Sequence, residues 1–152
     1  MTDQAPITNS AKSGIVPFTV NDGIIRMLFM TPSDPFYGGP DPQIAKGGID
    51  EGETSEITAV REGIEELGLR LENVVSVVRV VEPTAIEPER DYVLEVFAAE
   101  VKDPAAFDRP HYETGSVHWL TIDEFAVIGR PAHRSIVSDI HQFISRRIHL
   151  FG

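Results

Sequence analysis

Residues 46–69 read KGGIDEGETSEITAVREGIEELGL. Glu51, Glu53, Glu56, Glu62, Glu65 and Glu66 crowd this window, balanced only by Lys46 and Arg61. Gly47, Gly48 and Gly52 mark a loop at its start. Beyond them Ile57, Val60, Ile64 and Leu67 recur at three- and four-residue intervals, predicting a helix over 54–67 with these four as its buried stripe. Thr54 or Ser55 can cap its start and Gly68 its end. At about 100° per residue, Glu62, Glu65 and Glu66 then fall roughly opposite the stripe. Like charges at these spacings each disfavour a helix by about 0.2–0.5 kcal/mol. Glu65 and Glu66 also lie toward the helix C-terminus, where the macrodipole disfavours negative charge. Local stability gives no reason for the cluster. Two readings stay open: a solvated acidic face, or a set of hard oxygen ligands for a divalent cation shared with substrate phosphates.

Composition narrows the choice. A chain of 152 residues is expected to form one domain with a core that needs no disulfide. The net charge of −11 repels a phosphate backbone, so non-specific nucleic-acid binding is not expected. An acidic protein that handles phosphates needs divalent cations to neutralise both sides. The absence of cysteine removes thiolate catalysis and thiolate zinc sites. No apolar run approaches the roughly 18 residues that span a bilayer, and no signal pattern opens the chain. The expected location is cytoplasmic, with no membrane association.

Around this window the chain reads as strands interspersed with a few helices. Residues 1–13 are polar and aperiodic, an expected flexible tail, leaving 14–152 as the domain. GIVPFTV (14–20) and IIRMLFM (24–30) read as strands joined by an Asn21-Asp22-Gly23 turn. Pro17 suggests an edge strand or a bulge. A Pro- and Gly-rich loop, 31–42, carries Phe36 and Tyr37, which either stack on a nucleobase or pin the loop to the core. QIA (43–45) reads as a short strand, and 74–81, 92–101 and 116–120 as further strands. Residues 82–91 and 102–115 read as loops. Thr121 and Glu124 form a capping box for a short helix. A last helix over about 132–148 has Ile136, Ile140, Phe143, Ile144 and Ile148 as its buried stripe. The pattern predicts a mixed sheet flanked by helices.

The window resembles the Nudix box, G-x5-E-x7-R-E-U-x-E-E-x-G-U with U bulky and apolar. Gly47, Glu53, Arg61, Glu62, Glu65, Glu66, Gly68 and Leu69 occupy its positions. Gly63 stands where the first U is expected, at a cost of roughly 1 kcal/mol relative to Ala in a helix interior. The resemblance spans about residues 14–148 and implies an α/β/α sandwich with a mixed sheet. It further implies hydrolysis, by water, of a phosphoanhydride bond in a nucleoside diphosphate linked to another moiety. Glu62, Glu65 and Glu66 would hold Mg2+ or Mn2+, with a backbone carbonyl near Lys46 or Gly47 as a further ligand. Arg61 would pair with Glu53 in a supporting role.

The same resemblance makes Glu113, six residues before Trp119, the first choice of general base, followed by Glu62 or Glu65. His111 is a possible base or phosphate donor, set against a surface role. Lys46, Arg79, Arg90 and Arg109 are candidate phosphate contacts, set against ordinary surface positions. Pro83, fourteen residues after Leu69, loosely resembles the ADP-ribose-hydrolysing subclass, whereas KGGIDEGE resembles members that cleave polyphosphates. ADP-ribose or dinucleotide-like substrates are expected first, then dinucleoside polyphosphates or capped RNA 5′ ends. A non-catalytic nucleotide-binding module is the competing class, although such modules usually lose a box carboxylate. An edge strand and the N-terminal tail could serve a homodimer.

Overall fold

Alternation with a period of two in the central strands decides the architecture. In this computed structural model, which describes residues 10–86 and 92–151, six strands form one mixed sheet with helices on both faces. The strands are β1 (Ser10–Asn21), β2 (Ile24–Pro32), β3 (Ala45–Gly48), β4 (Val74–Ile86), β5 (Tyr92–Val101) and β6 (Thr114–Leu120). Val16, Met27, Phe29, Leu94, Val96 and Ala98 point to one face, while Ile15, Leu28, Met30, Phe97 and Ala99 point to the other. Each face needs a cover, because a strand that buries both sides cannot meet water on either.

Helix α3 (Arg134–Phe151) covers the first face with Ile136, Val137, Ile140 and Ile144, and Phe143 and Ile148 pack beside them. The short helix α2 (Ile122–Ile128) adds Phe125, whose ring lies 4.2 Å from that of Phe29. Its capping box forms as expected: Thr121 and Glu124 satisfy each other's backbone N–H groups. Helix α1 (Ser55–Leu67) covers the second face.

Strand order is β4-β5-β1-β2-β6, with β3 also paired to β1. β1 runs parallel to β5 and antiparallel to β2 and β3, so it is central. The edge placement suggested by Pro17 is therefore corrected. On one side of β1, Lys12–Ile15 pair with β3 and Phe18–Asn21 with β2. Pro17 sits in the gap between these partners, where a missing N–H breaks neither ladder. The strand also starts at Ser10, so residues 10–13, expected in the tail, belong to the sheet; residues 1–9 lie outside the described residues. β4 extends to Ile86, so 82–86 are strand where a loop was expected, while 87–91, with Arg90, lie outside the described residues. Pro83 falls where the β4–β5 register shifts, on a strand paired along one side only.

The predicted stripe of α1 is corrected in part: Leu67 is buried and Val60 packs against the core as expected, but Ile57 and Ile64 do not. Ile57 is 55% exposed and Ile64 42%, whereas Thr58, Ala59, Glu62, Gly63 and Leu67 are buried. Small residues face the sheet because the helix lies close to it. A Cβ on Gly63 would stand 3.0 Å from Ile15 Cγ2 and 3.1 Å from Leu69 Cδ2. The glycine at this position thus fits tight packing. Gly63→Leu, which supplies the bulky residue usual in the box, is expected to destabilise by about 1–3 kcal/mol through overpacking. That corresponds to a Tm lower by roughly 2–10 °C in thermal denaturation. A higher Tm would mean that the gain in helix propensity wins and the close packing is wrong.

Candidate active site

Helix α1 is held at both ends by local caps and by contacts from residues distant in sequence. At its start the Thr54 hydroxyl accepts from the Ile57 N–H, and the Ser13 hydroxyl in β1 donates to the Ser55 carbonyl. At its end Gly68 adopts a left-handed conformation (φ 75°). Its carbonyl accepts from the Asp108 N–H at 2.7 Å, and a Cβ there would strike the Asp108 carbonyl. The carbonyls of Glu65 and Glu66 accept from the His111 N–H and the Thr114 hydroxyl. The loop that carries Glu113 is thus tied to the end of α1.

Arg61 organises the loop before the helix. Its guanidinium grips the Glu53 carboxylate with Nε at 2.8 Å and Nη2 at 2.9 Å, a bidentate pairing. Nη1 donates to Glu62 Oε2 at 2.8 Å, and Nη2 reaches the Gly48 carbonyl at 3.2 Å. Asp50 and Glu65 complete its surroundings at 3.3 and 3.6 Å. Arg61 and the Thr58 hydroxyl hold the Glu53 carboxyl down to about 2. The hydrogen bond to Glu53, followed by the charge of Glu62, raises the Arg61 guanidinium above its ordinary range.

Glu62 is buried against the sheet, and Glu66, one turn on, is partly buried beside it. Glu62 lies against Gly47, where an added Cβ would stand within the space of its carboxylate. Only a residue without a side chain permits this approach. Glu66 Oε1 accepts the Lys46 N–H at 3.1 Å. Burial, then the neighbouring Glu62 charge, pushes the Glu66 carboxyl up to about 8. A neighbouring negative charge and a partly dry site both raise the cost of ionising Glu66. Among the described residues no three His, Asp or Glu side chains already converge to hold a metal. The donor set nevertheless suits a hard divalent cation, since it is all oxygen, holds a close carboxylate pair and leaves Glu65 partly exposed beside it.

Glu66 opens onto a cleft of about 500 Å3 that Tyr37, Lys46, Tyr112 and Glu113 also line. Of the residues expected from sequence, Tyr37, Lys46, Glu66 and Glu113 are therefore brought together. Phe36 is not in the lining and packs edge-on against Tyr37 at 5.6 Å. Arg79 is not brought to the cleft: it pairs with Glu95 at 3.2 Å and Glu82 at 3.1 Å on β4–β5. Glu95 is buried, and the nearby guanidinium compensates its charge.

Sequence reasoning missed Tyr112, 85% exposed at the cleft as Tyr37 is at 71%. It also missed Gln43, whose Nε2 donates to the Gly38, Gly39 and Asp41 carbonyls while Oε1 accepts from buried Arg130 at 3.1 Å. This pin fixes the loop that presents Tyr37. No local pattern announces it, because Arg130 lies 87 residues away.

Comparison with known proteins agrees with this geometry. No curated relative matches the sequence. Among solved structures, a Caenorhabditis elegans Ap4A hydrolase binary complex superposes with a TM-score of 0.72 at 17% identity, covering 90% of this chain and 98% of that one. A Nudix hydrolase from Mycobacterium smegmatis, RenU, gives 0.69 at 20% identity, covering 90% and 88%. The NUDIX domain of Shewanella oneidensis NrtR, complexed with ADP ribose, gives 0.70 at 16%, covering 91% and 90%. At these identities the likeness establishes the fold. The family profile described as NUDIX domain matches residues 14–140, most of the chain, and the protein therefore belongs to the Nudix family.

Proposed function

We propose that this protein is a metal-dependent pyrophosphohydrolase that cleaves a nucleoside diphosphate linked to another moiety. The observation that carries the reading is the close Glu62–Glu66 pair, of which Glu66 opens onto the cleft lined by Tyr37, Lys46 and Glu113. Mg2+ or Mn2+, held by Glu62, Glu65 and Glu66, would neutralise the diphosphate oxygens and lower the pKa of the attacking water. The protein's own groups divide the remaining work. Lys46 offers positive charge toward the phosphates, and Tyr37 offers a ring face to the base. Glu113 accepts the proton of water as its oxygen bonds to phosphorus, while the bridging P–O bond breaks and its electrons leave with the departing phosphate. Arg61 and Glu53 hold the loop against the helix and touch no reacting atom.

ADP-ribose or a dinucleotide is the favoured substrate class, in keeping with the ADP ribose held by the Shewanella domain. Dinucleoside polyphosphates follow, in keeping with the Ap4A hydrolase likeness, and capped RNA 5′ ends are a further option. Retention of all three box glutamates supports turnover over a binding-only module.

Glu66→Gln is expected to affect activity and stability in opposite directions. Hydrolysis of the preferred substrate, measured by phosphate-product release with Mg2+ or Mn2+, should fall by about 100-fold or more, beyond the range for outer-shell changes. Full activity in this variant would exclude the metal assignment.

The same carboxyl predicts a pH dependence. Its folded value of about 8 exceeds the ordinary 4.5, so between those limits the folded state keeps a proton that the unfolded chain releases. Stability of the metal-free protein therefore falls as pH rises through this window. Urea denaturation in chelator at pH 5.5 and 8 should show wild type losing more stability than Glu66→Gln. Equal losses would show that Glu66 ionises freely.

A further inference from the structure

Tyr112 lines not only the main cleft but also a second one, of about 570 Å3, together with Arg109, His111, Thr114 and Ser116. Two hydroxyls of this second cleft are already engaged: Thr114 donates to the Glu66 carbonyl, and Ser116 bonds Thr31 and His118. Two nitrogen groups are not. His111 Nε2 is shielded from solvent without a hydrogen-bond partner. It stands 3.6 Å from Glu113 Oε1, beyond hydrogen-bonding distance. Arg109 is exposed and makes no ion pair among the described residues. A buried ring nitrogen left unpaired costs free energy that an oxygen-bearing ligand can recover. A guanidinium beside it supplies a fork suited to phosphate oxygens.

We infer that the second cleft receives the distal arm of a two-ended substrate. Arg109 and His111 hold the phosphate or sugar oxygens of that arm, and Tyr112 stands between the two arms. This rests on the proposed hydrolytic reading and narrows it, favouring diphosphates and polyphosphates with a group at each end over nucleoside triphosphates. The placement also explains why the loop 109–113 is anchored to the end of α1. The group that grips the distal arm and the base that activates water then move as one unit.

The test compares wild type with Arg109→Ala, an exposed change that leaves the core untouched. Hydrolysis of diadenosine tetraphosphate, ADP-ribose and ATP is measured with Mg2+, beside calorimetric binding of uncleavable methylene-bridged analogues of the first and last. The expected result is a ratio of kcat/KM for two-ended over one-ended substrate that falls about tenfold in the variant, through KM. The analogue affinities should show the same selective loss. An equal effect on both substrate types, or no effect, overturns the second cleft. If nothing is hydrolysed but the two-ended analogue binds in an Arg109-dependent way, the hydrolytic reading fails and the second cleft stands. If neither analogue binds, both fail.

Discussion

Two carboxylates one helical turn apart repel each other, and burying them together removes the water that would moderate the repulsion. In this protein Glu62 and Glu66 are turned toward the sheet all the same, and the surrounding structure serves that arrangement. Gly47 has no side chain because the Glu62 carboxylate occupies the space. Arg61 is drawn in to compensate Glu62 and is itself fixed by Glu53 and the Gly48 carbonyl. The Lys46 N–H is directed at Glu66. A fold selected for stability alone would place alanines here. The strain makes sense if the pair is completed by a cation.

The sheet supplies the rigidity that this strain requires. β1 is central and binds β5 along its length, while it divides its other side between β3 and β2. The short β3 thereby fixes Lys46 and Gly47 opposite Gly14 and Ser13, under α1. The helix rests close to the sheet because Ala59 and Gly63 are small. Carboxylates and backbone are thus presented from regular elements, which place groups more closely than loops do. The groups proposed to meet substrate, Tyr37, Tyr112 and Glu113, come instead from the connecting loops, whose positions are set by the Gln43–Arg130 pin and by the end of α1.

How much of this was legible in the sequence depends on how local each feature is. The loop–helix unit and its caps lie within 24 consecutive residues and were legible from spacing, whereas the Glu53–Arg61 pairing came from the resemblance to the Nudix box. The final helix was equally readable, because Ile136, Ile140 and Ile144 are bulky and buried. The orientation of α1 was misread because hydropathy weights Ile57 and Ile64, whereas close packing selects Thr58, Ala59 and Gly63. Pro17 misled because no sequence rule says that a central strand changes partner at that point. Arg79 looked like a free cation until β5 brought Glu95 beside it. Tyr112 carried no signal at all, as an aromatic in a polar loop has no period to betray it.

The central claim is that the Glu62–Glu66 pair exists to hold a divalent cation. Anomalous diffraction from crystals soaked in Mn2+ tests it most directly. The account predicts a peak within coordinating distance of carboxylate oxygens of both residues, weakened or lost in Glu66→Gln. A well-diffracting crystal with Mn2+ bound elsewhere, and none at this pair, would contradict it.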